Sequence, residues 1–227
     1  MPSPDTATKT LRADARRNHD RLVASARELF ATAGLEVSVE EITQHAGVGM
    51  GTLYRHFPTK EELIDAVLED TFTDFLTLAE AALSEDDPWD GLCRFFEQAL
   101  AMYVRNRGLK DVVASGEHGR ARAAAMRSRM WTLVTRLVER ARQQGTLRPD
   151  FATEDVALVL WSGERVVERS RDVAPELWQR YLGLLLDGLR ATAANELPAP
   201  PLTHDQLQAA RSSASARRSD FHEPKGP

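Results

Sequence analysis

The chain has a single cysteine, Cys93, among its 227 residues, and one thiol can close neither an internal disulfide nor a cysteine-based metal site. It has no uninterrupted apolar run near the ~18 to 20 residues that a membrane-spanning helix requires. The opening stretch, MPSPDTATKTLRADARRNHD, is polar and lacks the apolar core of a signal peptide, so a cytoplasmic location is expected. Strand-like alternation followed by a hairpin turn is absent. So are HExxH, GxSxG and phosphate-loop runs. The six histidines, His19, His45, His56, His118, His204 and His222, are scattered. Glu117 and His118 are the one adjacent acid–imidazole pair, and neighbouring helical positions do not face each other, so they read as polar loop rather than acid and base. No enzyme, metal site or cofactor is implied. Aromatic residues at 7%, with 13 Gly and 11 Pro, are ordinary for a folded chain and exclude wholesale disorder.

Charge of one sign is also missing overall, because the net value is −5. Taken alone, that argues against a nucleic-acid partner, but the distribution is uneven. Residues 1–27 carry six basic groups (Lys9, Arg12, Arg16, Arg17, Arg21, Arg27) against three acidic ones (Asp5, Asp14, Asp20), while residues 61–196 carry 17 basic and 24 acidic. A basic head on an acidic body can still bind phosphates through the head.

What is present is helical periodicity nearly everywhere, which predicts an all-α fold. A first helix begins near Arg17, with Leu22, Val23, Ala26, Leu29, Phe30 and Ala33 on one stripe, and stops at Gly34. Ser38 and Glu41 form a capping box that opens a short second helix ending before Gly47. A third runs from about Val48 to Phe57, with Leu53 and Phe57 facing inward, and Pro58 stops it. Thr59 and Glu62 cap a long fourth helix lined by Leu63, Ile64, Val67, Leu68, Phe75 and Leu76. Further helices are expected over 88–106, 110–117, 119–144, 153–170 and 175–195, about nine in all. After Leu197 the composition shifts to Pro, Ser and Arg, which predicts a disordered tail over 197–227. The expected divisions are a flexible arm (1–15), a head (16–60), a body (61–196) and this tail.

Two short helices joined by a glycine turn and supported by a preceding helix describe a helix-turn-helix. Such a motif needs apolar anchors on its second helix and slim or hydrogen-bonding residues on the outer face near that helix's start. Leu53 and Phe57 supply the anchors. Gly49, Met50, Gly51 and Thr52 keep the outer face slim, Thr52, Arg55 and His56 can reach base edges, and the Tyr54 hydroxyl and Lys60 suit phosphates. Periodicity alone is equally compatible with an ordinary helical subdomain in which Tyr54 and His56 are packing residues.

The run SVEEITQHAGVGMGTLYRHFPTKEELIDAVL resembles the DNA-binding head of the TetR/AcrR family of bacterial transcriptional repressors, over about residues 16–68, with GTLYRHFPTKEEL the most specific part. The resemblance implies a homodimer, a double-stranded DNA operator of palindromic form, and a small-molecule effector held in the helical body. It places Ser38, Val39, Gly49, Met50, Gly51, Thr52, Tyr54, His56 and Lys60 at DNA. Gly49-Met50 stands where Ser followed by Lys or Arg is common, and Val39 where some members have Thr. Fewer direct hydrogen bonds follow from these departures.

The body carries Phe95, Phe96, Met102, Tyr103, Met126, Met130, Trp131 and Trp161, with Trp89 alongside, as apolar surface able to bracket a cavity; most aromatics at helical spacing are core. Glu97 and Glu164 could face a cationic or hydroxylated ligand, or pair with Arg94 and Arg165. The seven arginines 120, 122, 127, 129, 136, 140 and 142 read as a solvated face. Val159, Val166, Leu177, Trp178, Tyr181, Leu182, Leu185 and Leu189 form the expected dimer interface, as a four-helix bundle across a two-fold axis. The basic groups before the first helix, and Arg211, Arg217 and Arg218 after the last, read either as solvated tails or as extra DNA contacts. The function expected is a ligand-responsive DNA-binding regulator, a repressor; the alternative is a small-molecule-binding helical protein that has lost sequence-specific DNA binding.

Overall fold

The computed structural model describes residues 4–105, 120–193 and 195–210. The helix expected over 110–117, the Glu117–His118 pair and Arg211, Arg217 and Arg218 lie outside the described residues, as do the side chains of residues 4–12, Lys9 and Arg12 among them, and those of Arg120 and Arg122. The helices are α1 (Pro4–Ala33), α2 (Val39–Ala46), α3 (Met50–His56), α4 (Lys60–Leu83), α5 (Pro88–Arg105), α6 (Arg120–Gln143), α7 (Asp155–Ser170) and α8 (Leu177–Leu189), then a short 3-10 turn (Ala191–Ala193) and α9 (204–210). Among the described residues the β content is one isolated antiparallel bridge, Leu147 to Arg190. No described helix is long and apolar enough to cross a membrane. The chain divides into two compact units, one of Met1–Thr71 with Arg105–Ala124 and one of Phe72–Val104 with Ala125–Pro227.

The first unit is built on α1, which packs against α2 and α3. Leu22, Ala26, Phe30, Ile42, Leu53, Phe57, Leu63 and Val67 are all buried. The head therefore takes in the first turns of α4, and its boundary falls at Thr71 rather than at residue 60. Gly34 (φ 79°) closes α1, donating its N–H to the Phe30 carbonyl at 3.0 Å. The flexible arm expected over 1–15 is corrected from residue 4 onward, since α1 starts at Pro4 and runs for 30 residues. Proline suits a first helical turn, and no glycine or further proline interrupts the chain before Gly34.

The second unit has a core of α4, α5, α6, α7 and α8 residues, with Leu92, Phe96, Leu100, Leu137, Leu147 and Leu182 fully enclosed. Arg148, only 8% exposed, ties its lower connections together. Its guanidinium holds Asp150 at 2.6 and 3.0 Å and donates to the carbonyls of Gly188 (3.2 Å) and Asn195 (2.6 Å). The last long helix ends at Leu189, earlier than the expected 195, because Arg190 turns extended to pair with the 146–148 segment. There its guanidinium sits 4.5 Å from the Trp89 ring centroid.

Disorder from residue 197 is also corrected over the described part of the tail. Thr203 and Gln206 form a reciprocal cap (2.8 and 3.2 Å) that starts α9. Leu207 on α9 is fully buried, and His204 meets Trp131 edge-on at 4.8 Å between centroids.

Candidate DNA-binding face

The helix before the turn, α2, is fixed by local chemistry at both ends. Ser38 Oγ accepts from the Glu41 N–H (3.2 Å), and Glu41 Oε2 accepts from the Ser38 N–H (2.8 Å) and hydroxyl (2.8 Å). These bonds, the backbone one first, hold the Glu41 carboxyl below its ordinary pKa of 4.5. Gly47 ends α2 in the left-handed region (φ 62°), donating to the Gln44 and Thr43 carbonyls, while the Val48 N–H bonds the Thr43 carbonyl at 3.0 Å. A Cβ at Gly47 would lie 3.0 Å from Arg21 Nη2, so the turn tucks under the α1 side chain.

Because its folded pKa is depressed, the Glu41 contribution to head stability is fully present above pH 4.5 and is lost as pH falls through the lowered value. Glu41→Gln, which keeps the cap without the charge, should flatten this acid loss in melts followed by circular dichroism. Ser38→Ala should cost the head about 1 kcal/mol at neutral pH.

The second helix, α3, presents the slim face expected of it. Gly49 is its N-cap without a side-chain bond, and a Cβ at Gly49 or Gly51 would meet nothing within 4 Å. Leu53 and Phe57 are buried, whereas Tyr54 is 48% exposed and Arg55 is exposed. Thr52, His56, Ser38 and Val39 are half-buried at the rim of this face. Two assigned residues turn out to have partners within the head. The Met50 sulfur lies 3.3 Å from the Thr43 hydroxyl, which itself donates to the Glu40 carbonyl at 2.9 Å. Lys60 donates through Nζ to the Leu35 carbonyl, so it fastens the α1–α2 connection as well as presenting charge.

Thr43 and His19 also contribute, although no motif position in the sequence points to them. The His19 ring, from α1, packs against Phe57 (5.0 Å between centroids) and His56 (6.0 Å), setting α1 against the end of α3. Neither stands in the quoted contact positions. The apolar spacing marked α1 as a support without saying which polar residue meets α3.

In the second unit the residues assigned to a ligand are divided. Phe95, Phe96 and Met102 are buried in the core, with the two phenyl rings 5.9 Å apart. Tyr103, Met126, Met130, Trp131, Trp161 and Glu164 are half-buried, and Glu97 is exposed. Arg94 bonds Glu85, and Arg165 bonds Glu168 at 2.7 Å. An open hollow of about 550 Å³ is lined by other residues, among them Glu139, Arg142, Leu147 and Pro149. Burial pushes the Cys93 thiol up to about 12, aided by nearby Glu97, so no thiolate nucleophile is available near neutral pH. The solvated arginine face is corrected at Arg140, which is half-buried and donates to the carbonyls of Leu83 and Glu85. Arg129 pairs with Glu80 at 2.5 Å while staying exposed, as a solvated face allows. Among the described residues no cluster of His, Cys, Asp and Glu could hold a metal.

The expected interface helices are α7 and α8. Val159, Trp178 and Leu182 are buried in the chain's own core. They present no surface to a second copy. Val166, Tyr181, Leu185 and Leu189 are half-buried, and Leu177 remains exposed together with Leu158 and Leu184.

An anchored supporting helix, a tight glycine turn and a slim, partly cationic second helix define a helix-turn-helix head, here in a chain whose second unit is a helical bundle. Residues 22–67 match the family model for bacterial regulatory proteins of the TetR family. Residues 87–191 match the C-terminal domain of SbtR-like transcriptional regulators. The crystal structure of a TetR transcription regulatory protein from Mycobacterium vanbaalenii is 32% identical and superposes with a TM-score of 0.61, covering 79% of this chain and 99% of that one. The TetR regulator SCO0520 from Streptomyces coelicolor is 30% identical over 77% of this chain and 99% of its own, with a TM-score of 0.59. An HTH-type transcriptional regulator of Staphylococcus aureus (strain USA300) is 40% identical over 68 residues, 30% of this chain and 37% of that relative's length. The chain belongs to the TetR family of transcriptional regulators.

Proposed function

We propose that the protein is a homodimeric repressor that binds a palindromic operator and leaves it when a small molecule occupies the body. The observation carrying this reading is the open α3 face: Gly49 and Gly51 bring backbone to the surface beside exposed Tyr54 and Arg55, where a major groove accepts a helix. Ser38 and Val39 flank that face from the start of α2, with Thr52, His56 and Lys60 at its edge and Met50 held at its start.

The dimer forms through the outward side of α7 and α8. Leu177 and Leu184 lie seven residues apart on one face of α8, with Tyr181 between them and Gly188 a turn beyond, where a Cβ would meet nothing within 4 Å. Leu184 is 64% exposed in the single chain, so Leu184→Asp should leave the fold intact and raise the dimer dissociation constant at least ~10-fold, about 1.4 kcal/mol. Sedimentation equilibrium checks it; an unchanged dimer refutes this interface.

The effector binds the half-buried group around Tyr103, Met126, Met130 and Trp131 and favours a dimer whose heads no longer match the half-site spacing. Linkage demands that it bind the released form more tightly than the DNA-bound one. Operator affinity measured with and without candidate ligands tests this. A ligand that binds the free protein and leaves operator affinity unchanged shows the coupling to be absent.

A further inference from the structure

The α1 extension is the feature that the proposed reading of α3 leaves unused. It was expected to be a loose arm, and instead it continues the supporting helix back to Pro4. A helix fixes register, so the basic residues of that segment are no longer scattered. Lys9, Arg12 and Arg16 stand at i, i+3 and i+7, and His19 follows three residues later. His19 is the residue whose ring packs on Phe57 and His56, at the end of α3. The basic register thus runs upstream on the helix from the point where α1 meets the groove-reading helix.

The charge count favours the same reading. Arg17 is bonded to Asp14, so these two cancel one another. Asp20 sits beside His19 at 3.3 Å, and Asp5 is the one carboxylate in register upstream of Lys9. Along the sequence, Lys9, Arg12 and Arg16 follow one another in helical register between Asp5 and His19. From His19 back to Lys9 is ten residues, about 15 Å of helix. Over that length duplex DNA presents about nine phosphates, counting both strands.

We propose that the N-terminal extension of α1 is a second, sequence-independent DNA contact, a helical basic stripe of Lys9, Arg12 and Arg16 that lies along phosphates flanking the half-site read by α3. This rests on the DNA-binding reading of α3, and it adds affinity and salt dependence without adding base preference.

The test is the dependence of operator affinity on salt, for an operator selected by the wild-type chain. Losing three phosphate contacts per head, six per dimer, should reduce the steepness of log K against log salt by about 5.4 in Lys9→Ala, Arg12→Ala, Arg16→Ala combined. The sequence that this variant selects from random DNA should stay the same. Ala13→Pro keeps every charge and breaks the helix upstream of Leu22, the first buried residue among those described. It should lose most of the same slope with an unchanged melting temperature for the head. Arg169→Ala, an exposed arginine of α7, should change nothing. An unchanged slope in the triple variant overturns the stripe and leaves the α3 reading standing. A reduced slope there with a normal slope in Ala13→Pro also overturns it, in favour of a disordered basic arm. A wild-type chain that binds no duplex at all overturns both readings together.

Discussion

Gly51→Glu is expected to leave the head at least as stable as the parent and to lower operator affinity more than ~100-fold. Gly51 lies within α3, is exposed, and has open space where a Cβ would go. A helix-interior glycine costs about 0.8 to 1 kcal/mol relative to a good helix former, so glutamate should raise the melting temperature slightly. On the face that enters the groove, the same side chain adds bulk where backbone must approach and a negative charge within the phosphate field. Thermal melts and fluorescence anisotropy on one sample separate the two effects. Binding that survives would mean that α3 does not lie in the groove as described.

Gly91→Ala should do the opposite of what helix propensity predicts. Gly91 lies in the first turns of α5, where alanine is ordinarily the better residue. Here an added Cβ would fall 2.4 Å from the Ala82 carbonyl oxygen, a backbone atom that cannot rotate away. Either α4 and α5 separate or the Ala82 carbonyl tilts, and overpacking of this kind costs about 1 to 3 kcal/mol. For a chain of this size that is a fall of several degrees in melting temperature, readable by calorimetry. Gly163 offers an instructive contrast: its Cβ would meet Leu100 side-chain carbons at 2.6 and 2.7 Å, which can shift rotamer, so the penalty for Gly163→Ala should be smaller.

These glycines also mark how far the sequence could be read. The head was legible because its signals are local. Ser38 and Glu41 lie three residues apart and start α2, Gly47 stops it, Pro58 ends α3, and Thr59 caps the Glu62 N–H at 3.2 Å. Each of these acts on the backbone within a turn or two, so no knowledge of distant packing was needed. The α9 cap carried the same kind of signal, Thr203 to Gln206, and was obscured by the proline-rich stretch before it and the serine- and arginine-rich stretch after it.

The second unit was harder for a physical reason. Apolar residues cover much of the circumference of α8, and periodicity cannot tell which arc meets the chain's own core. Trp178, Leu182 and Leu186 are buried while Leu177 and Leu184 are left outside, a division set by where α7 lies. The same limit applies to charge. Arg140 looked like one more solvated arginine, yet it bonds the Leu83 and Glu85 carbonyls more than 50 residues away, at the end of α4. Glu97, next in sequence to the buried Phe96, points outward instead. Long-range partners of this kind leave no mark at a fixed spacing.

The most direct test of the account is selection from a random duplex pool by the wild-type chain and by Gly51→Glu, with both shown to be folded. The wild type should enrich an inverted repeat, and Gly51→Glu should enrich nothing. A folded wild-type chain that enriches no sequence, or a Gly51→Glu variant that enriches the same repeat, would contradict it.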